Sequence, residues 1–308
     1  MAEAILNQAR FQDADKAREY LEALRWPDGV VCPHCGSVER PYKLEGKAHR
    51  AGLYKCSDCR AQFTVTVGTL FEDSKVPLHK WLHACYLMSS SKKGISSKQL
   101  ERMLGVTYKT AWFMSHRIRE AMTNNNGSML GSAGGPVEVD ESYWGNVGKQ
   151  ADGARGGAHK MKILSLVDRA GEKRSFHVTE VNAETLRPIM QKHIDEKARL
   201  MTDEARVYRK IGKDFASHES VNHSSNEYAR GDVTTNTVES SFAILKRGLY
   251  GIFHSVSEKH LQRYATEFDF RWNHRAKMGF NDTQRADEIL KNIAGKRLTY
   301  KQPNSQWQ

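Results

Sequence analysis

A chain of 308 residues with 47 Lys and Arg against 36 Asp and Glu, net charge +11 and mean hydropathy −0.66 has room for about two domains of ~100–200 residues each. It needs no disulfide staples, and no stretch approaches the ~18 consecutive apolar residues of a membrane span. A miniature stapled scaffold and a helical membrane protein are both excluded. The first ten residues lack a basic patch followed by an apolar run, and Glu3 stands where a signal peptide carries Lys or Arg; a reducing, cytoplasmic setting is expected. The basic excess is local. From Cys32 to Met122 fifteen Lys and Arg face seven Asp and Glu, whereas residues 1–31 carry four and six. Such an excess favours a polyanionic partner through phosphate neutralisation and counterion release.

Residues 1–30 read as an N-terminal helical segment. Two knuckles follow, Cys32-Pro33-His34-Cys35 and Cys56-Ser57-Asp58-Cys59, twenty residues apart. Two thiolate pairs at that spacing close a tetrahedral structural zinc site, so Cys32, Cys35, Cys56 and Cys59 are the expected ligands of one Zn²⁺, and 31–75 a zinc ribbon. Gly36 follows the first pair where the chain must reverse. His34 lies inside a knuckle but competes with four cysteines that already complete a site. Cys85 falls on an apolar helical stripe and reads as a buried small residue. The alternating run 62–67 predicts the ribbon's last strand.

Within 76–122, Leu100, Met103 and Leu104 carry helical spacing, Gly105-Val106-Thr107 breaks it, and 109–122 resumes it. Two helices joined by a short glycine turn form a candidate helix-turn-helix DNA-binding region. Its second helix offers Tyr108, Lys109, Thr110, His116, Arg117 and Arg119, types that meet phosphates or base edges in a major groove. Trp112, Phe113 and Ile118 read as core. The turn-forming clusters in 123–136 read as a linker.

Beyond Pro136 the pattern turns to short strands over 137–141, 162–168 and 175–181, a helix over 183–194, a strand over 199–203 and a helix over 237–248. This predicts a mixed α/β fold, a mixed sheet flanked by helices, over 137–300. Asp140 lies on the first strand, Asp203 ends the fourth, and Glu239 sits on a helix with Lys246 two turns along the same face. Carboxylates gathered from separate elements can hold two divalent metals ~3.5–4 Å apart for an in-line phosphoryl displacement, and hard oxygen ligands select Mg²⁺ or Mn²⁺. The glycine-rich basic stretch 145–160, ending at Lys160, lacks a nucleotide-loop signature and reads as a hairpin tip that orders on DNA. His218, His223, His254 and His260 fit no metal spacing and read as DNA contacts or plain surface. Residues 301–308 read as a disordered tail.

The chain resembles bacterial insertion-sequence transposases of the DDE class with an N-terminal zinc ribbon. The resemblance rests on the two knuckles, Gly105 to Met114 with His116-Arg117-Ile118-Arg119, Val139-Asp140-Glu141-Ser142-Tyr143-Trp144-Gly145, Asn236-Thr237-Val238-Glu239-Ser240, Leu245 to Gly251, Glu267 to Asn273 and Gly295 to Tyr300. It implies a ribonuclease-H-like catalytic domain in which Asp140 and Asp203 are the first two metal ligands. The third position admits Asn236 or Glu239, and charge favours Glu239. Lys246 matches the basic residue that follows the third acid and, with Arg247, meets DNA; Glu267 and Arg271 match a later helical signature with a positional role. The implied activity is binding of the element's terminal inverted repeats in double-stranded DNA, cleavage at each end and transfer to target DNA, with two Mg²⁺ or Mn²⁺ per site. A homodimer or higher assembly on DNA and a place with the bacterial nucleoid are also implied. A zinc-ribbon regulator with an inactive second domain, or a nuclease of the same fold, are the alternatives.

Overall fold

The computed structural model describes residues 4–123, 127–147, 157 and 159–299, and contacts divide the chain into two units, Met1–Met122 with Phe280–Gln308, and Thr123–Gly279. In the first unit, α1 (Ala9–Gln12) leads into α2 (Ala14–Arg25). The Asp13 carboxylate starts α2 by accepting the N–H groups of Asp15 and Lys16, each at 2.8 Å, as a helix N-cap should. The ribbon is an antiparallel sheet of β1 (Pro41–Lys43), β2 (Tyr54–Cys56) and β3 (Gln62–Phe63), with β2 central. Its register sets Tyr54 opposite Phe63, and their rings stack at 5.7 Å. The expected strand over 62–67 is shorter than its pattern. After Phe63 the chain turns, and the Arg25 guanidinium donates to the carbonyls of Val65 and Val67, satisfying groups that have no further strand to pair with.

Three helices complete this part of the unit: α3 (Leu78–Ser90), α4 (Ser97–Leu104) and α5 (Tyr108–Ala121). Ser96 caps α4, Gly105 ends it in the left-handed region at φ 58°, and Thr107 caps α5. A side chain at position 105 would be strained there, which explains the glycine in the turn.

In the second unit, β4 (Pro136–Trp144), β5 (Met161–Asp168), β6 (Lys173–Val178), β7 (Arg199–Thr202) and β8 (Ser217–Ser220) form one sheet in the order β6-β5-β4-β7-β8. The first three pair antiparallel, and β7 and β8 continue parallel to β4. On one face α6 (Ala183–His193) and α7 (Arg206–Ile211) bury Leu186, Met190 and Tyr208 against Val137, Val139, Leu164 and Leu166. After the β9 (Ala229–Arg230) and β10 (Val233–Thr234) hairpin, α8 (Asn236–Gly248) and α9 (Glu258–Asn273) cover the other face, with Val238, Phe242, Leu261 and Phe268 against Ile163 and Val167. This mixed sheet flanked by helices is consistent with a ribonuclease-H-like domain.

Two features depart from the sequence reading. Part of the expected linker packs: Leu130 bridges Ile194, the N–H of Gly131 donates to Asp168 at 2.8 Å, and Gly131, at φ 71°, leaves no room for a Cβ beside Ala198 and Val137. The expected catalytic domain ran to residue 300, yet α10 (Asp282–Lys291) belongs to the first unit. It packs on α2, α3 and α5, buries Ile289 and Leu290, and accepts the Tyr20 hydroxyl on Asp287 at 2.6 Å. Glu267 and Arg271, expected to play a positional role, are both buried and bonded to each other in α9. Most of the 145–160 stretch and the 301–308 tail lie outside the described residues.

Candidate active site and zinc ribbon

Asp140 lies on β4, and Asp203, sixty-three positions further along the chain, directly follows the last residue of β7. Parallel pairing of β4 with β7 sets Pro136 opposite Arg199 and Glu138 opposite Met201; Asp140 and Asp203 each lie two residues beyond that last pair, near enough for the charge of Asp203 to act on Asp140. Alternation along β4 turns Glu138, Asp140 and Ser142 to the face covered by α8 and α9, and Val137, Val139 and Glu141 to the other. Glu239 lies in the first turn of α8. Its carboxylate accepts the Thr235 hydroxyl at 2.7 Å and lies 3.7 Å from Nε2 of His223. Asp203 accepts the N–H of Ala205 at 3.0 Å.

These acids share one electrostatic field. Burial, then the negative charges of Glu141, Asp203 and Glu239, push the Asp140 carboxyl up to about 8. Crowded acids of this kind are suited to a hard divalent cation, which would replace the proton as the neutralising charge. Among the described residues, however, only the four ribbon cysteines bring their metal-binding atoms all within 4.8 Å of one another. Asn236 is exposed at the first position of α8, and Lys246 and Arg247 are exposed near its far end, about 10 Å along the axis from Glu239. A π-turn over Leu249–Phe253 then presents Tyr250, which meets the Trp144 ring edge-on at 4.3 Å. Lys160 is half-buried before β5.

The ribbon cysteines have the geometry of a closed site. Sγ of Cys32 lies 3.7 Å from that of Cys59, and Sγ of Cys35 lies 3.7 Å from that of Cys56. A tetrahedron with ~2.3 Å metal–sulfur bonds has edges of about 3.8 Å, so this cluster can bind a structural zinc. Backbone N–H groups of Cys59 and Asp58 hold the Cys56 thiol down to about 7 against desolvation, whereas the Cys35 and Cys59 thiols of the same cluster are raised by desolvation and by their sulfur neighbours; a bound zinc would displace those protons. Gly36 reverses the first knuckle at φ 76°. His34 stands outside the cluster, edge-on to Phe63 at 6.4 Å, and Cys85 is buried in α3.

The α5 candidates divide. Tyr108 and Lys109 are exposed and Thr110 is half-buried at the start of the helix. Arg117 and Arg119 are buried instead. Arg117 donates to the Glu72 carbonyl at 3.1 Å and lies over Trp81, while Arg119 donates to Ser115 at 3.1 Å. The sequence counted their charge without their position on the inward face, so they are corrected from DNA contacts to interior braces. His116 is buried as well.

Sequence reasoning missed three groups around the acids. Glu138 is fully buried beneath the start of α8. Tyr208 donates to Glu141 at 2.5 Å on the opposite face of the sheet. His223 was read as surface or DNA contact, but stands beside Glu239 with Thr235 between them. The alternation of β4 carried a signal for Glu138, a carboxylate on an inward face; nothing local marked His223.

The chain joins a four-cysteine ribbon to a mixed sheet flanked by helices. Residues 132–273 match the ISXO2-like transposase domain, and residues 12–62 match a transposase zinc-ribbon domain. The chain is 31% identical over 277 residues to an uncharacterized protein in transposable element ISH50 of Halobacterium salinarum, covering 85% of this chain and 91% of that one. The chain belongs to the ISXO2-like transposases with an N-terminal zinc ribbon. Among the described residues no helix is long and apolar enough to cross a membrane.

Proposed function

We propose that this chain is an active DNA transposase that binds the terminal inverted repeats of its element, cuts a phosphodiester bond at each end and joins the freed 3′-hydroxyl to target DNA. The carrying observation is the placement of Asp140 on β4, Asp203 directly after β7 and Glu239 in the first turn of α8, where the charges of Asp203 and Glu239 add to the burial and the Glu141 charge that push the Asp140 carboxyl up to about 8. These three would hold two Mg²⁺ or Mn²⁺ ions, with the neutral oxygen of Asn236 as a further donor. Bound there, such ions supply activation of the attacking oxygen and neutralisation of the leaving one.

The protein's own groups set the rest. Glu239 rather than Asn236 serves as the third acid, because only a charged oxygen offsets the charge of two dications. Lys246 and Arg247 neutralise phosphates of the strand entering the site, and Lys160 reaches the same polyanion. Tyr108, Lys109 and Thr110 present a helix start to the repeat DNA, while one Zn²⁺ on the four cysteines keeps the ribbon folded. Two ends must be handled together, so the working form is a dimer or higher assembly on DNA.

The test supplies purified protein with labelled terminal-repeat DNA and Mg²⁺. Nicked ends and joined products are expected from the native chain, and neither from Asp140→Asn or Asp203→Asn. Normal cleavage by either variant contradicts the assignment, and cleavage without joining makes the protein a nuclease.

A further inference from the structure

At the start of α8, Thr235 in the N-cap position makes no side-chain cap hydrogen bond, and the Thr234 hydroxyl accepts the N–H of Asn236 alone, at 3.1 Å. The cap comes from about a hundred residues away. Glu138, on β4 and fully buried, accepts the N–H groups of Thr237 and Val238 on Oε2 at 2.8 and 2.9 Å, and the Thr237 hydroxyl on Oε1 at 2.9 Å. Its remaining partner is Arg169, in the turn between β5 and β6, whose Nε donates to Oε1 at 2.8 Å. That guanidinium also donates to the carbonyls of Asp232 and Thr234, at 2.6 and 3.2 Å, in the segment that leads into α8. The carboxylate is thus fully used, and all its partners belong to the entry of one helix or the arginine that braces it.

Glu138 lies two residues before Asp140 on the same face of the same strand, and its α8 partners immediately precede Glu239. We infer that Glu138 is a positioning residue of the acidic site: it locks the first turn of α8 to β4 and so sets the spacing of Glu239 from Asp140. This rests on the proposed metal-dependent function. A carboxylate that only stabilised the fold could act anywhere along α8; this one grips the turn whose placement decides whether separate acids can share a cation. Outer partners of this kind orient ligands, and their loss costs about 10–100-fold in metal affinity or activity.

The probe is Mn²⁺ alone, titrated into the full-length protein and followed by electron paramagnetic resonance, beside the Mn²⁺ dependence of terminal-repeat cleavage. In Glu138→Gln the amide turns a donor toward Arg169 or toward the α8 N–H groups. A roughly 10-fold or greater weakening of Mn²⁺ binding is expected, with cleavage recovering as Mn²⁺ is raised. Thr237→Ala, which removes one hydroxyl donor, should weaken binding less, in the same direction, and decides the matter if Glu138→Gln fails to fold. Folded variants with native Mn²⁺ binding overturn the inference, as does a loss of cleavage that saturating Mn²⁺ does not restore. Asp140→Asn separates the two levels: if it keeps native binding and cleavage the functional reading itself fails, whereas if it abolishes both while Glu138→Gln changes neither, only the positioning role fails.

Discussion

Asp140 shows what the site costs the fold. Its carboxyl is held up to about 8 chiefly by burial and then by neighbouring acids, against about 3.9 in an unfolded chain. The folded protein therefore keeps the proton that the unfolded chain releases, and the contribution to stability is complete below about pH 4 and lost as pH rises toward 8. Without added divalent cation, melting of the second unit should fall across that window. Asp140→Asn should flatten the slope and, near pH 7.5, raise Tm by about 3–6 °C; an unchanged slope in a thermal-melting series contradicts this. Arg117 makes the converse case. Because it braces Trp81 and the Glu72 carbonyl, Arg117→Met should lower Tm while folded protein binds repeat DNA normally, whereas Lys109→Ala should weaken binding and reduce its salt slope by about one. Filter binding over a salt series distinguishes them. Residue types near Arg117 were legible in the sequence; which way they faced was not, since an arginine over an aromatic ring and one over a phosphate share the same helical spacing.

At the scale of elements, α9 protects the edge of the sheet. β6 is the outer strand, and its outward N–H groups at Lys173, Ser175 and His177 go to Asn273, Asp269 and Gln262, at 2.7, 2.6 and 2.7 Å. Those three lie on one stripe of α9, so the helix supplies the hydrogen bonds that a further strand would, and blocks unwanted strand pairing. Lys173 is buried with its ammonium 3.4 Å from the Asp269 carboxylate. Asp269→Ala should strand that ammonium and cost about 3–5 kcal/mol in urea unfolding; a loss below about 1 kcal/mol would show that the pair is dispensable. β4 was readable from its period-2 alternation, β5 from its apolar run and α8 from its helical period, whereas β8, with no fully buried side chain, carried no such signal. The role of α9 was not readable, because its polar stripe resembles a solvated one until β6 lies beside it.

Across the whole molecule, local pattern was enough for the cysteine ribbon and for much of the order of elements, while the acids were singled out by the family resemblance; neither anticipated the return of α10 to the first unit. Chain order gives no hint of that. Ile289, Leu290 and Ile293 need an apolar surface, and α2, α3 and α5 provide it. Since the four cysteines can bind a structural zinc, a strong zinc chelator should abolish the melting transition of the first unit and leave that of residues 123–279 cooperative. Calorimetry with and without chelator would reveal one shared loss if this is wrong. The proposed activity requires that Asp140 on β4, Asp203 after β7 and Glu239 on α8 converge to receive hard cations. Crystals soaked in Mn²⁺ and measured for anomalous scattering test this most directly. Peaks among the carboxylates of Asp140, Asp203 and Glu239, absent in Asp203→Asn, are predicted; Mn²⁺ bound elsewhere while that cluster stays empty would contradict it.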